Sequence, residues 1–269
     1  MKLTGATLAL AGVTLLLVAL LGQFTAMGEY RSAPPRAWEA FNPAMARNVR
    51  SFDKLVEASQ SKSSKGAAET MRRSYSLVIK RFTHKAARHT VWSNWLLWGM
   101  GKVHPTFAHI RNPQTMLENG YSLLCGQSSY LLLRLALQHG IKARHVGLDG
   151  HVVMEAWYNG DWHLYDPDLE VMPEDENGNA LSVEALAGRP KLLKRYYGRF
   201  SGDKTSMVSI LGSRENNTYM SYPPGAWFEW KSNVLFWFEK LAEVLKFTIP
   251  ALVVLLGGWL WGRSRPMER

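Results

Sequence analysis

Apolar and polar positions follow several rhythms along this chain. Leu3 to Leu21 carries no charge and is dominated by Leu, Ala, Val and Gly, long enough to cross a bilayer core of about 30 Å. Phe247 to Trp261 is also uncharged and would span only by extending through its neighbours or tilting little. Between them, Trp38 to about Ala58, Ala67 to Lys85 and Val183 to Tyr197 have spacing that predicts helix, and Ser59 to Gly66 is a serine-rich break. Trp92, Trp95 and Trp98 recur at one-turn spacing, which suits core packing or contact with lipid headgroups. Tyr222-Pro223-Pro224-Gly225 breaks the chain, and Trp230 to Lys246 mixes apolar and charged residues as an interfacial helix would.

The middle of the chain changes rhythm. Leu131, Leu132, Leu135 and Leu137 predict a helix from about Ser128, ended by Gly140 behind His139. Ile141 to Leu148, His151 to Tyr158 and Trp162 to Pro167 then read as three strands. Asp149-Gly150 and Asn159-Gly160 separate them, and both dipeptides favour two-residue hairpin turns. If Tyr158 pairs with Asp161, Val153 faces Asp166, and alternation puts His151, Val153 and Asp166 on one face. His151 and Asp166 are then diagonal neighbours, about 7–8 Å apart at the backbone and within side-chain reach.

This arrangement brings chemistry into view, because Cys125, the one cysteine, lies at the N-terminal end of the predicted helix. Unpaired N–H groups and the helix dipole favour an anion there, such as a thiolate. An imidazole that takes a proton from sulfur, with an acid orienting it, would complete a nucleophilic set. Each residue also has a plainer use. Cys125 could be a small buried hydrophobe, His151 could cap a turn, and Asp166 before Pro167 could be a turn residue. Asp168, opposite His151 in the same register, competes for the acid's place. Pro167 interrupts the strand and so favours Asp166.

Cys125 opening a helix, Gly140-Ile141-Lys142-Ala143-Arg144 leading into a strand, Gly150-His151-Val152-Val153 followed by Glu155, and Gly160-Asp161-Trp162 running to Asp166-Pro167 form one constellation. In these residues the chain resembles the transglutaminase-like branch of the papain-like cysteine enzymes, over roughly residues 75–200. The family often has an aromatic residue just after the nucleophile, where this chain has Gly126. The resemblance implies an α+β fold with the nucleophile helix packed on an antiparallel sheet. It also implies Cys125 as nucleophile, His151 as base and Asp166 as orienting acid, acting on a protein or peptide amide through a thioester. Water as acceptor would make a peptidase or amidase, and an amine would make a transglutaminase. Asn119 lies six residues before Cys125, the offset at which papain-type proteases carry an oxyanion-binding amide. It also suits a turn beside Gly120, and the Cys125 N–H is an independent oxyanion donor. The competing class is a noncatalytic module that binds a peptide or scaffolds a membrane complex.

Composition adds limits. The chain has 269 residues, 46% of them hydrophobic, and a formal charge of +10. It is expected to divide into an N-terminal anchor (1–27), a linker with helical extension (28–74), the α+β domain (75–200), a connecting segment (201–229) and an interfacial helix, span and basic tail (230–269). Small residues for signal cleavage are poorly matched around Gln23 to Ala26, which favours an uncleaved anchor. Lys2 before the first span and Arg263, Arg265 and Arg269 behind the second suggest cytoplasmic termini and an extracytoplasmic domain. The basic excess between Arg31 and Arg111 suits a solvated surface, anionic lipid headgroups or an acidic polymer. No motif points it to nucleic acid. His84, His89, His104 and His109 lack metal spacing, and Glu174 to Asn179 lacks the closing acid of a calcium loop, so no metal or cofactor is expected. Asn216-Asn217-Thr218 matches the glycosylation pattern without further support.

Overall fold

The computed structural model describes residues 2–60, 66–148, 150–200, 206–212 and 224–263. Its helices, in chain order, are α1 (Lys2–Phe24), α2 (Pro43–Asn48), α3 (Phe52–Ser59), α4 (Ala67–Arg81), α5 (Trp95–Val103), α6 (Pro113–Glu118), α7 (Cys125–Gln138), α8 (Val183–Ala187), α9 (Pro190–Tyr197), α10 (Met207–Gly212) and α11 (Pro224–Arg263). Its strands are β1 (Thr83–His84), β2 (Ser122–Leu123), β3 (Ala143–Leu148), β4 (His151–Tyr158) and β5 (Asp161–Tyr165). Asp149, Asn216-Asn217-Thr218, Tyr222-Pro223, most of the serine-rich break and the tail residues Arg265 and Arg269 lie outside the described residues.

The chain forms two compact units. One comprises Met1–Arg31, Ala87–Thr115 and Leu235–Arg269, the other Ser32–Ala86 and Met116–Val234. The polypeptide therefore passes between them at four junctions, after residues 31, 86, 115 and 234. This division cuts across the expected segments: residues 32–74 belong with the cysteine-bearing unit, and 87–115 belong with the terminal helices.

In the first unit, α1 and α11 are both long and apolar enough to cross a membrane, over Leu3–Phe24 and Trp230–Arg263. They run antiparallel, since Gly5 lies against Gly257 and Trp261 while Gly12 lies against Pro250 and Val254. A Cβ on Gly5 would sit 2.8 Å from the Gly257 carbonyl oxygen, so the backbones approach as small residues alone permit. The short uncharged run at 247–261 is thus the end of a 40-residue helix that continues through Pro250. Pro250 has no N–H to give the Lys246 carbonyl one turn earlier. The Trp95 indole N–H occupies that carbonyl instead, at 2.9 Å. Lys246 itself is buried, and its Nζ donates to the Ser93 carbonyl at 2.9 Å and pairs with Glu243 at 2.6 Å. Trp92 does not share a helical face with Trp95 and Trp98: Asn94 caps α5 by accepting from Leu97 N–H, leaving Trp92 in the preceding turn.

In the second unit, β3, β4 and β5 form an antiparallel sheet in that order. Tyr158 pairs with Asp161 and Met154 with Tyr165, the register that the Asn159-Gly160 turn dictates. Asn159 and Gly160 both take positive φ, as do Gly140 and Gly150 at the other two stops. One sheet face turns Val146, Val153 and Leu164 into an apolar core with α8, α9 and α10. The other face carries His145, stacked on Tyr130 of α7, and Tyr165, packed on Tyr75 of α4. Mixed helix and antiparallel sheet, with a helix from Cys125 against the strands, agree with the coarse α+β expectation.

Several boundaries differ from expectation. Residues 38–58 form two short helices because Asn42 and Ser51 each cap a new start. α4 stops at Arg81, and Thr83–His84 pairs in parallel with Ser122–Leu123. The expected helix at 183–197 is broken at Gly188. Arg81 is fully buried and donates to the carbonyls of Val49, Gly120 and Leu117 at 2.7, 3.0 and 2.6 Å. That side chain ties α4 to the segment leading into Cys125.

Candidate active site

Cys125 is the first residue of α7. Leu124 before it has no side-chain oxygen to cap the helix, and Gln127 takes up the Leu124 N–H at 3.4 Å. The Cys125 N–H, at the helix's first position, has no intrahelical acceptor. α7 is held to the sheet by Ser129, whose hydroxyl donates to the Val152 carbonyl at 3.1 Å. That contact sets the cysteine beside the start of β4, where His151 is the first strand residue.

Asp166 follows β5 directly. Its backbone exchanges two hydrogen bonds with Val171, at 2.9 and 3.0 Å, closing a tight loop over residues 167–170. Within that loop the Asp168 and Leu169 N–H groups donate to Asp166 Oδ1 at 3.2 and 3.1 Å. Its other oxygen, Oδ2, lies 2.8 Å from His151 Nε2 and accepts from the Tyr197 hydroxyl at 3.1 Å. The carboxylate is completely buried, and both its oxygens are supplied with donors. With Nε2 held by Asp166, Nδ1 is the ring nitrogen left for the Cys125 sulfur, which lies within 4.8 Å of an imidazole nitrogen.

The electrostatics follow from that geometry. Burial opposes a charge on His151, but the Asp166 carboxylate and the Cys125 sulfur outweigh it and raise the imidazole well above its ordinary pKa. His151 and Asp166 are almost wholly enclosed, while Cys125 is partly exposed. Cys125 is thus the least enclosed member of the set.

Asp168 does not take the place opposite His151, because the chain turns at Pro167. Its Oδ1 lies 2.8 Å from His84 Nδ1, without the alignment of a hydrogen bond. Burial pushes the Asp168 carboxyl up, with His84 opposing, and contact with Asp168 raises the His84 imidazole despite partial burial. Beside this pair is a cavity of about 10 Å³ lined by Ser128, Leu123 and Glu39 among others, room for a single water. An Asp168 oxygen, the Cys125 sulfur and a His151 ring nitrogen lie within 4.8 Å of one another.

The fold thus gathers Cys125, His151 and Asp166, with Asp168 on a second side. Asn119 sits in a bend behind α6, partly exposed, with no side-chain hydrogen bond to this group among the described residues. Tyr197 and His84 were not evident in the sequence. Tyr197 comes from α9, 31 residues beyond Asp166, and His84 from β1, and neither stands in a motif. Glu155 is also buried, accepting from Arg144 at 2.7 Å and from the Val183 N–H at 2.8 Å. It joins β3 and β4 to the start of α8. No family model matches this chain, and neither does any curated protein or solved structure.

Proposed function

We propose that this chain is a membrane-tethered cysteine acyl-transfer enzyme with a transglutaminase-like, papain-like core. The observation that carries the reading is His151 held at 2.8 Å by a buried carboxylate beside a partly exposed cysteine, its ring within 4.8 Å of the sulfur. In that reading the sulfur attacks an amide carbonyl carbon of a protein or peptide. Its proton passes to His151 Nδ1, and the Cys125 N–H faces the developing oxyanion. The C–N bond then breaks as the imidazolium returns the proton to the departing amine, leaving a thioester. Water, its proton taken by His151, adds to the thioester and releases a carboxylic acid and the thiol. An amine in water's place would give a new amide. Hydrolysis is the preferred branch, since water needs no second binding site.

Two apolar helices support the tether. Their antiparallel contact supports placing both chain ends on one side, which the basic residues around them make the cytoplasmic side. The cysteine-bearing unit would then face outward. Purified protein offered peptide amides should accumulate an acyl adduct on Cys125 detectable by mass. Equal absence of adduct and turnover in the native protein and in Cys125→Ala would favour a binding module, and an amine donor in the same assay separates transfer from hydrolysis.

A further inference from the structure

The proposed chemistry has no use for Asp168, yet this carboxylate stands beside the nucleophile. It is 6% exposed, and its Oδ1 faces His84 Nδ1 at 2.8 Å without the alignment of a hydrogen bond. One of its oxygens, the Cys125 sulfur and a His151 ring nitrogen are mutually within 4.8 Å. Small side-chain rotations would bring all three onto one ion at the usual zinc distances of about 2.3 Å to sulfur and about 2.0–2.2 Å to nitrogen or oxygen.

The supports behind these donors are also in place. Asp166 holds His151 Nε2 at 2.8 Å, so the imidazole presents Nδ1 with its tautomer fixed, as a carboxylate behind a metal-bound histidine does. His84 backs Asp168 at 2.8 Å. Cys125 is partly exposed, which gives an ion access and leaves a fourth position for water. Thiolate, imidazole and carboxylate together suit zinc and exclude magnesium and calcium, which take oxygen ligands.

We propose that Cys125 Sγ, His151 Nδ1 and an Asp168 oxygen bind zinc, and that the ion reversibly blocks the nucleophile. Binding requires a deprotonated thiol and a neutral imidazole, so a proton is released and the sulfur lone pair is committed to the metal. The inhibitory consequence rests on the acyl-transfer reading, whereas the metal site does not.

Because Cys125 is the sole cysteine, iodoacetamide alkylation of the full-length protein in detergent, followed by intact mass, reports on this site alone. Zinc should slow alkylation, and a chelator should restore it. In Asp168→Asn, protection, taken as the ratio of rates with and without zinc, should need at least about tenfold more metal. Cobalt(II) bound to the unaltered protein should show thiolate-to-metal charge transfer and the strong visible bands of a tetrahedral site, a test that depends on no variant. Unchanged alkylation in zinc, equal protection in Asp168→Asn, or a cobalt spectrum lacking the thiolate band would each overturn the site. None of these readouts needs a substrate, so absence of amide turnover would sink the proposed function and leave the metal site standing.

Discussion

Tyr197 donates its phenolic hydrogen to Asp166 Oδ2 at 3.1 Å, the same oxygen that His151 Nε2 reaches at 2.8 Å. Burial and the neighbouring carboxylate push the phenol's pKa well above its ordinary value, so it remains a donor at any working pH. If the proposed chemistry holds, Tyr197 is a positioning residue, reaching the sulfur through Asp166 and His151. Tyr197→Phe should cost about 1.5–3 kcal/mol of stability, as for a bond to a charged acceptor. The freed Oδ2 would hold the imidazolium more strongly, so the alkaline limb of the turnover profile should move to higher pH. A purely structural role would lower stability and leave that limb in place.

Asp166 and Asp168 can be ranked directly. Asp166→Asn replaces the oxygen that fixes the imidazole and should lower kcat/KM by about 10²–10⁴-fold. Asp168→Asn should lose far less. The opposite order, measured on one peptide amide, would make Asp168 the orienting acid.

Trp95 and Lys246 offer a test in the helical unit. Trp95→Phe leaves the carbonyl freed by Pro250 without its indole donor and should cost about 1–3 kcal/mol. Pro250→Ala supplies a backbone N–H in compensation, so the double variant should lose less than the sum of the single ones. Additive losses in thermal unfolding in detergent would show that the indole bond does not serve this carbonyl.

Glu170 should impose a pH dependence on stability. Burial pushes its pKa up to about 7 from an ordinary 4.5, although its carboxylate accepts the Ala40 N–H. The folded state then holds the proton more tightly than the unfolded state does. The resulting stability is full below about pH 4.5 and is lost as pH rises through about 7. Denaturant midpoints at acidic and alkaline pH should differ less in Glu170→Gln than in the native protein, and an unchanged difference would assign the dependence elsewhere.

Reporters fused before Met1 and behind Arg269 should both be active only in the cytoplasm. Activity of both on the outer side would reverse the orientation. Activity on opposite sides would contradict the antiparallel pairing of α1 with α11.

The sheet register and the Cys125, His151, Asp166 set were legible because local rules decide them. Asn159-Gly160 admits few turn geometries, and counting outward from it brings Asp166 within reach of His151. The leucine spacing before Gly140 likewise marks the helix from about Ser128, and α7 begins three residues earlier, at Cys125 itself. What was hidden depends on tertiary contact. Arg81 reads as one more cation in a basic helix, and its burial arises from three carbonyls supplied by segments remote in sequence. Asp168 looked like an alternative acid until the loop closed by Asp166 and Val171 turned it toward His84. At α11 the uncharged run at 247–261 does extend through its neighbours, as the apolar end of a much longer helix whose full length the run alone does not show.

The glycine contacts between α1 and α11 join residues 5–12 to residues 250–261, nearly opposite ends of the polypeptide. During biosynthesis the first helix therefore emerges long before its mate and must wait, with that stripe uncovered, until almost all of the intervening sequence has left the ribosome. A polypeptide cut short before Pro250 would leave that stripe on α1 without the close-packed partner that α11 supplies.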